Sequence, residues 1–187
     1  MTAVSKAWSR ITRWYAQNVP DDKLILPAGA SEEELADVQS QMNVRFTDDL
    51  LESFRLHNGT NEQSIFPYAF YLLSLEEIVS QWRMWQKGLD DGAFDDSRPA
   101  PAGPIKKVWW DTRWIPLTHN SGGDHHCFDS APARGGMVGQ IIQFSHEVGP
   151  QHVVANSLVS WLTSLADDLE NHRYQYDDYE CCLIPNE

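Results

Sequence analysis

The sequence predicts an α+β fold in a single domain, an antiparallel or mixed β-sheet meander flanked by helices, on three observations. Apolar residues recur at helical spacing in the first half of the chain and again near residue 160. Between these segments, residues 108–144 hold short β-branched and aromatic runs separated by glycine turns. The chain has 187 residues, 42% of them hydrophobic, which is enough for one substantial core. We expect one domain over residues 1–187, with its core at about 8–169 and an acidic tail at 174–187.

Five amphipathic helices are expected, because five segments repeat apolar residues every three or four positions. Pro20 followed by Asp21 and Asp22 is expected to end the first helix. Capping boxes that begin at Ser31 and Ser74 mark the starts of the second and the fourth. The two tryptophans of the fourth helix are more typical of core packing than of a ligand site. The positions expected to be buried are Val4, Trp8, Ile11 and Tyr15; Leu35, Val38 and Met42; Leu50, Leu51 and Phe54; Ile78, Trp82, Trp85 and Leu89; and Leu158, Trp161, Leu162, Leu165 and Leu169.

Four short strands are expected to build one sheet, because turn residues separate four β-branched or aromatic runs. Glycine pairs at 122–123 and 135–136 can take positive φ in two of these turns. Residues 90–104 lack apolar periodicity and predict a long surface loop. The strands are predicted at Phe66–Leu73, Trp114–Leu117, Cys127–Phe128 and Val138–Phe144.

Charge and composition restrict the kinds of partner. A formal net charge of −13 repels nucleic acid and anionic membranes and attracts cationic surfaces. No apolar run approaches the length of about 20 residues that a membrane span needs. The first residues lack the apolar segment of a secretory signal, and three cysteines make a poor disulfide framework. We therefore expect a cytoplasmic protein with a basic protein partner, no nucleic acid and no membrane.

The central motifs resemble those of the SMI1/KNR4 family, also called the SUKH superfamily. They are Trp-x3-Trp-Ile-Pro-Leu at 110–117, Asn-Ser-Gly-Gly-Asp at 120–124, Cys-Phe-Asp at 127–129 and Gly-Gly-x2-Gly-Gln-Ile-Ile-x-Phe-x-His at 135–146. The resemblance extends from about Trp8 to Leu169, with Asn43 and Thr47 as departures where the family often has glycine and proline. It implies the same α+β fold.

The resemblance implies two functions. Bacterial members are frequently immunity proteins, so the leading hypothesis is that the chain binds and neutralises a cognate bacterial polymorphic or contact-dependent toxin. Fungal members are linked to cell-wall synthesis and signalling, which gives the alternative of a regulatory or scaffolding module. Those members carry long disordered extensions, which we do not expect in this chain.

An enzyme that uses the histidine and cysteine residues near position 125 is the third hypothesis. Asp124, His125, His126 and Cys127, with His119 nearby, are residue types that bind zinc. On a strand His125 and Cys127 share one face and His126 points to the other, so the ligands would not converge. Cys127 within a strand is typical of a small buried hydrophobe rather than a nucleophile. We therefore expect no metal, no cofactor and no catalysis.

The candidate partner-binding residues are acidic or aromatic and fall into three groups. Trp109 is the one of three neighbouring tryptophans that strand alternation separates from Trp110 and Trp114, and an exposed tryptophan can anchor a protein partner. The two acidic clusters could steer a cationic partner, with tyrosines as anchors in the second. The alternative is that both clusters are solvated, mobile segments without a binding role. The candidates are Asp90, Asp91, Asp95 and Asp96 in the loop; Trp109 and Asp124; and Tyr176, Asp177, Asp178, Tyr179 and Glu180 in the tail.

Overall fold

The computed structural model describes residues 1–20 and 26–186. Within these residues the helices are α1 Ala3–Asn18, α2 Glu32–Met42, α3 Asp48–Leu56, α4 Leu75–Asp90 and α5 Leu158–Glu170. The strands are β1 Ser64–Phe66, β2 Phe70–Leu72, β3 Trp114–Pro116, β4 Thr118–His119, β5 His125–Asp129, β6 Gln140–Ser145, β7 Gly149–Ala155, β8 Tyr174–Asp177 and β9 Cys182–Pro185. The predicted α+β class is confirmed.

The helix starts follow from local hydrogen bonding. In both predicted capping boxes the serine hydroxyl accepts a backbone N–H, and the glutamate three residues on accepts the N–H of the serine. Asn43 ends α2 in the left-handed conformation with φ 50°, which asparagine tolerates where glycine is common. Asp21 and Asp22 lie outside the described residues, and α1 ends at Asn18. None of the described helices combines the length and the apolar character that crossing a bilayer requires.

The strands form three sheets, so the expectation of one sheet is wrong. Their orders are β1-β2-β4, β3-β5-β6-β7 and β8-β9, and all the strand pairs within them are antiparallel. The chain changes sheet at Leu117, between β3 and β4. The N–H of Leu117 donates to the carbonyl of His126, while its carbonyl accepts the N–H of Leu73. Leu117 is thus hydrogen-bonded to both of the first two sheets. The apolar pattern did not indicate that the chain leaves one sheet for the other here.

The prediction of a single strand over Phe66–Leu73 is also wrong. Residues 64–72 form the β1-β2 hairpin, whose turn residues Tyr68 and Ala69 have φ 64° and 60°. Two-residue hairpin turns usually need positive φ at both positions, which glycine and asparagine supply cheaply. Tyrosine and alanine do not favour positive φ, so the residue types at this turn do not predict it.

The segment expected to be an acidic tail forms a second hairpin, the C-terminal hairpin, of β8 and β9. Leu183 is only 1% exposed and belongs to the main core, and it forms an isolated parallel bridge with Pro67. Two further differences concern the second sheet: strand β7 was not predicted, and Val138, expected in β6, precedes β6 and is 63% exposed. The Tyr174–Asp177 strand is therefore attached to the body of the protein.

Buried side chains form two clusters. The larger joins the five helices to β1-β2, the C-terminal hairpin and residues of β3, β5 and β6. The smaller lies against the second sheet, and its buried members are Trp85, Ile105, Trp110, Trp114, Cys127, Ile142 and Phe144. Trp110 and Trp114 share this cluster as expected, although Trp110 precedes the strand. Leu89, expected to be buried, lies in the last turn of α4 and is 38% exposed.

Candidate functional site

His125 is fixed inside the smaller cluster by two hydrogen bonds. Its Nδ1–H donates to the carbonyl of Thr118 at 2.7 Å, and its Nε2 accepts the indole N–H of Trp85 at 3.0 Å. Burial lowers the pKa of His125 to about 4, so the ring is neutral near pH 7. Both ring nitrogens are occupied, which leaves no lone pair for a metal.

His126 points to the opposite side of β5. Its ring lies 4.3 Å from that of Phe70 and 5.4 Å from that of Trp161, measured between centroids, and Nδ1 shares a 2.9 Å hydrogen bond with the Thr118 hydroxyl. Burial lowers its pKa to about 4 as well. The predicted divergence of His125 and His126 agrees with these contacts. Among the described residues no three His, Cys, Asp or Glu side chains lie together as a metal site would require.

Cys127 and Asp124 do not form a nucleophilic pair. Cys127 is fully buried, and burial raises the pKa of its thiol well above the ordinary value. Asp124 instead accepts hydrogen bonds from the backbone N–H of His146 at 3.0 Å and from the imidazole Nδ1 at 2.9 Å. Burial alone would raise the pKa of Asp124, but these bonds and one from Asn120 lower it. Asp124 therefore stabilises the turn at His146, and its binding of a partner stays a prediction.

The acidic loop is exposed, but neighbours compensate part of its charge. Asp90 belongs to α4 and accepts a hydrogen bond from Gln86, and Asp91 pairs with Lys87. Arg98 donates to the backbone carbonyl of Asp95 at 2.8 Å. Asp96 is exposed like the other three. Partner binding by this loop stays a prediction, and two nearby cations weaken the charge argument for it.

Trp109 is only half-exposed, because its ring stacks on that of Phe94 at a centroid distance of 5.3 Å. It lines a shallow groove of about 460 Å³ together with Val148 and Pro150. The indole N–H is buried without a hydrogen-bond partner. These contacts give Trp109 a packing role, and anchoring of a partner by this residue stays a prediction.

The C-terminal hairpin presents the second acidic cluster. Asp177 Oδ1 accepts the N–H groups of Tyr179 at 2.9 Å and Glu180 at 2.8 Å, so this carboxylate stabilises the turn. Tyr179 is 92% exposed, and Asp178 and Glu180 are also exposed. Tyr176 is half-buried, and burial, with the neighbouring Cys181, raises its pKa to about 12.

A groove of about 500 Å³ lies between the two hairpins, and we call it the hairpin groove. Tyr71 and His119 form part of its wall, and the Tyr71 hydroxyl lies 3.2 Å from His119 Nδ1. Burial lowers the pKa of His119. The groove is lined by Glu62, Gln63, Ser64, Ala69, Tyr71, His119, Ser121, Tyr176, Glu180 and Cys181. Of the predicted candidates, the fold brings Tyr176 and Glu180 here.

Glu62, Tyr71 and His119 were not predicted as members of this groove. They lie before β2, in β2 and in β4, far from the C-terminal hairpin in the sequence. Correct placement of the turn at Tyr68 and Ala69 would have been needed to find them.

An apolar pocket of about 270 Å³ lies on the other side of the β1-β2 turn. Phe66 and Trp161 stack in its wall at 4.4 Å with their planes 5° apart. Tyr68, 72% exposed, stands at its edge, and Tyr174 and Asp168 also line it. The pocket is about the size of one or two side chains, which is small for a cofactor.

Comparison with known proteins gives fungal relatives. The chain is 26% identical to the glucan synthesis regulatory protein of Neurospora crassa, over 94% of this chain and 40% of the relative. It is 26% identical to the cell wall biosynthesis/cell cycle regulator smi1 of Schizosaccharomyces pombe, over 94% of this chain and 38% of the relative. It is 25% identical to the cell wall assembly regulator SMI1 of Saccharomyces cerevisiae, over 92% of this chain and 42% of the relative. The chain spans about two fifths of the length of these relatives.

These relatives contradict the leading functional hypothesis. All three are named as regulators of the cell wall or of glucan synthesis, and none is named as an immunity protein or an enzyme. The prediction of toxin neutralisation is therefore wrong, and the bacterial origin that it assumed finds no support. The error arose because a shared fold does not determine function, and a net charge of −13 only suggested a cationic partner. The profile of the SMI1 / KNR4 family (SUKH-1) matches residues 29–164, and the chain belongs to this family.

Proposed function

We propose that this chain is a regulatory protein-interaction module of cell-wall synthesis, which acts by reversible, stoichiometric binding of a protein partner. The names of the fungal relatives support the regulatory role. Those relatives are more than twice as long, so the chain corresponds to one module of such a regulator. The observation that carries the proposal is the surface of the C-terminal hairpin.

That surface combines contact area with charge. Tyr179 is almost fully exposed beside Asp178 and Glu180, and no cation pairs with these two carboxylates in the described part of the chain. Tyrosine supplies a large, rigid contact surface at interfaces, and unpaired carboxylates steer a basic partner. The hairpin is also anchored through Leu183, so it presents these groups from a fixed position.

Binding without turnover is supported by the state of the reactive side chains. His125 has both ring nitrogens engaged, and the Cys127 thiol is buried with a raised pKa. A nucleophilic cysteine needs the thiolate and an accessible position. Neither condition is met in strand β5.

We propose the cytoplasm as the compartment. None of the three cysteines is in a disulfide, although Cys181 and Cys182 are neighbours and Cys181 is exposed. Proteins of reducing compartments rarely contain disulfides.

A chimera tests the proposed function. The matching segment of the Saccharomyces cerevisiae regulator is replaced by this chain, and resistance of the cell wall to a glucan-digesting enzyme is measured. We expect the chimera to keep its resistance, and a triple variant Asp178→Asn, Tyr179→Ala, Glu180→Gln to lose it. A matched variant in α2, Glu33→Gln with Asp37→Asn, changes two exposed carboxylates that are not among the candidates and is expected to behave like the parent chimera.

Two results would contradict the proposal. One is a chimera that is expressed and folded but leaves the wall as sensitive as deletion of the regulator does. The other is full resistance in the hairpin variant at the same expression level. Rescue at amounts far below those of the natural regulator would instead indicate catalysis.

A further inference from the structure

We propose that the hairpin groove is a subsite for a cationic side chain of the protein partner, with arginine as the preferred occupant. This rests on the proposed function, because it names the chemistry of the partner at that surface. The groove requires both hairpins, since Glu62 and Tyr71 come from the first hairpin region and Tyr176 and Glu180 from the second.

The charge of the groove has one sign. Glu62 and Glu180 supply carboxylates, and no lysine or arginine is among the lining residues. Glu77 and Asp124 are close enough to act electrostatically on His119 at the groove wall. Carboxylates that line a concave surface concentrate the field and attract a cation more strongly than the same charges on a flat surface.

The imidazole of His119 does not oppose this field at neutral pH. Burial lowers its pKa, so the ring is uncharged, and it shares a hydrogen bond with the Tyr71 hydroxyl. Among the described residues that line the groove, Glu62 and Glu180 are the charged groups, and Glu77 and Asp124 add negative potential at His119.

The aromatic content of the groove favours arginine over lysine. Tyr71 and Tyr176 are half-buried in its walls. A guanidinium is planar, stacks on aromatic faces and offers five donors, whereas an ammonium offers three donors and is more strongly hydrated. Two carboxylates, the Tyr71 and Tyr176 hydroxyls and the Ser121 hydroxyl give more acceptors than one lysine can satisfy.

The size of the groove points to a side chain with its adjoining backbone. A volume of about 500 Å³ exceeds that of a single ion. Tyr179, almost fully exposed on the same hairpin, offers a second contact that only an extended polypeptide can reach together with the groove. We therefore assign the occupant to a protein segment.

Titration with defined peptides tests this assignment. The probe is a nine-residue glycine-serine peptide with a central arginine, and binding is followed by NMR of the His119 and Tyr176 side chains in the full chain. Peptides with lysine or with citrulline, the uncharged isostere of arginine, are the comparisons. We expect saturable shifts with arginine, at least about fivefold weaker binding with lysine, and no saturation with citrulline.

Two variants locate the site. Glu62→Gln and Glu180→Gln should each weaken binding of the arginine peptide by about threefold to fivefold, as expected for loss of one partly exposed charge pair. Glu33→Gln, on an exposed side chain of α2 that does not line the groove, makes the same charge change and should leave the affinity within about twofold at physiological salt, where distant charges are screened. Backbone amide spectra confirm that each variant is folded.

Several outcomes overturn the proposal. Equal binding of the citrulline peptide, parent-like affinity in both glutamine variants, or no saturable shift at any soluble concentration would do so. Tighter binding of free N-acetyl-arginine amide or spermidine than of the peptide would reject the protein segment as occupant. A working chimera without arginine binding would reject this inference and leave the proposed function standing. Arginine binding in a chain whose chimera fails would reject the proposed function and leave the subsite standing.

Discussion

Strand β5 holds two histidines and a cysteine inside the protein, whereas the C-terminal hairpin leaves Tyr179, Asp178 and Glu180 in solvent. Both ring nitrogens of His125 and Nδ1 of His126 form hydrogen bonds with Thr118 or Trp85. In the hairpin, the Asp177 carboxylate accepts hydrogen bonds within its own turn. The carboxylates of Asp178 and Glu180 form no ion pair with any described residue.

Residue type is therefore a poor guide to function when burial and local hydrogen bonding are ignored. His125 and Cys127 have the chemistry of an active site, but burial removes the charge from the first and the reactivity from the second. Tyrosine and aspartate in the hairpin have no intrinsic reactivity, but their exposure makes them available to a partner. Substitutions in β5, in its packing partners and in the hairpin test this contrast.

Trp161→Ala should lower the free energy of unfolding by about 3–5 kcal/mol, as for other buried aromatic truncations. Trp161 is 6% exposed, stacks on Phe66 and contacts the ring of His126, so its loss opens the packing around β5. Urea titration measures the change, and Trp161→Phe, which keeps a ring, should cost clearly less. A loss below about 1 kcal/mol for the alanine variant would show that β5 is not held by this packing.

Stability should fall as the pH is lowered from about 6.5 to about 4. The unfolded histidine has a pKa near 6.5, and in the folded protein His125 has a pKa of about 4. The native state then binds fewer protons than the unfolded state in this window, so acid favours unfolding, by about 2–3 kcal/mol for His125. The contribution of His126 is smaller, because that ring is partly exposed to the apolar pocket.

Denaturant titrations at several pH values between 4 and 7 measure this loss. His125→Asn should be less stable than the parent throughout but should lose most of the slope. His152→Asn, on an exposed side chain of β7, serves as the control and should keep it. An unchanged slope in His125→Asn would mean that this histidine is not the buried neutral group described above.

Cys127→Ala should cost about 1 kcal/mol, because a small buried group is removed from the smaller cluster. In the native protein a maleimide reagent should modify Cys181, which is exposed, and leave Cys127 intact until the chain unfolds. Peptide mapping by mass spectrometry follows both sites. Rapid labelling of Cys127 under native conditions would place β5 at an accessible surface.

The hairpin substitutions should have the smallest effect on folding. Asp178→Asn and Tyr179→Ala should each change the free energy of unfolding by less than about 0.5 kcal/mol, because both side chains are exposed. Asp177→Asn is the informative contrast, since it weakens two acceptor bonds in the turn. A large loss for Tyr179→Ala would assign the hairpin surface to folding rather than to binding.

The sequence was a good guide to the helices. Ser31 and Ser74 start α2 and α4 as expected, because a capping box is a local interaction between two side chains within four consecutive residues. The buried face of α5 also follows from spacing, since Leu158, Trp161, Leu162, Leu165 and Leu169 are all buried.

Strand pairing and the candidate site were harder to predict, because they depend on long-range contacts. The turn at Tyr68 and Ala69 lacks glycine or asparagine, so one strand was expected where two exist. The acidic composition of residues 177–180 suggested a tail, although Leu183 provides a buried anchor. Without this pairing the hairpin groove has only one wall.

The bridge between Pro67 and Leu183 has a consequence for biosynthesis. It joins β1 to a residue that the ribosome adds more than a hundred positions later, and contacts of such long sequence separation form late in folding. A nascent chain that has already formed α1 to α4 still lacks Tyr176 and Glu180, and so lacks one wall of the hairpin groove. Chains released early would lack this wall, so binding at the proposed subsite would require the completed C-terminal hairpin.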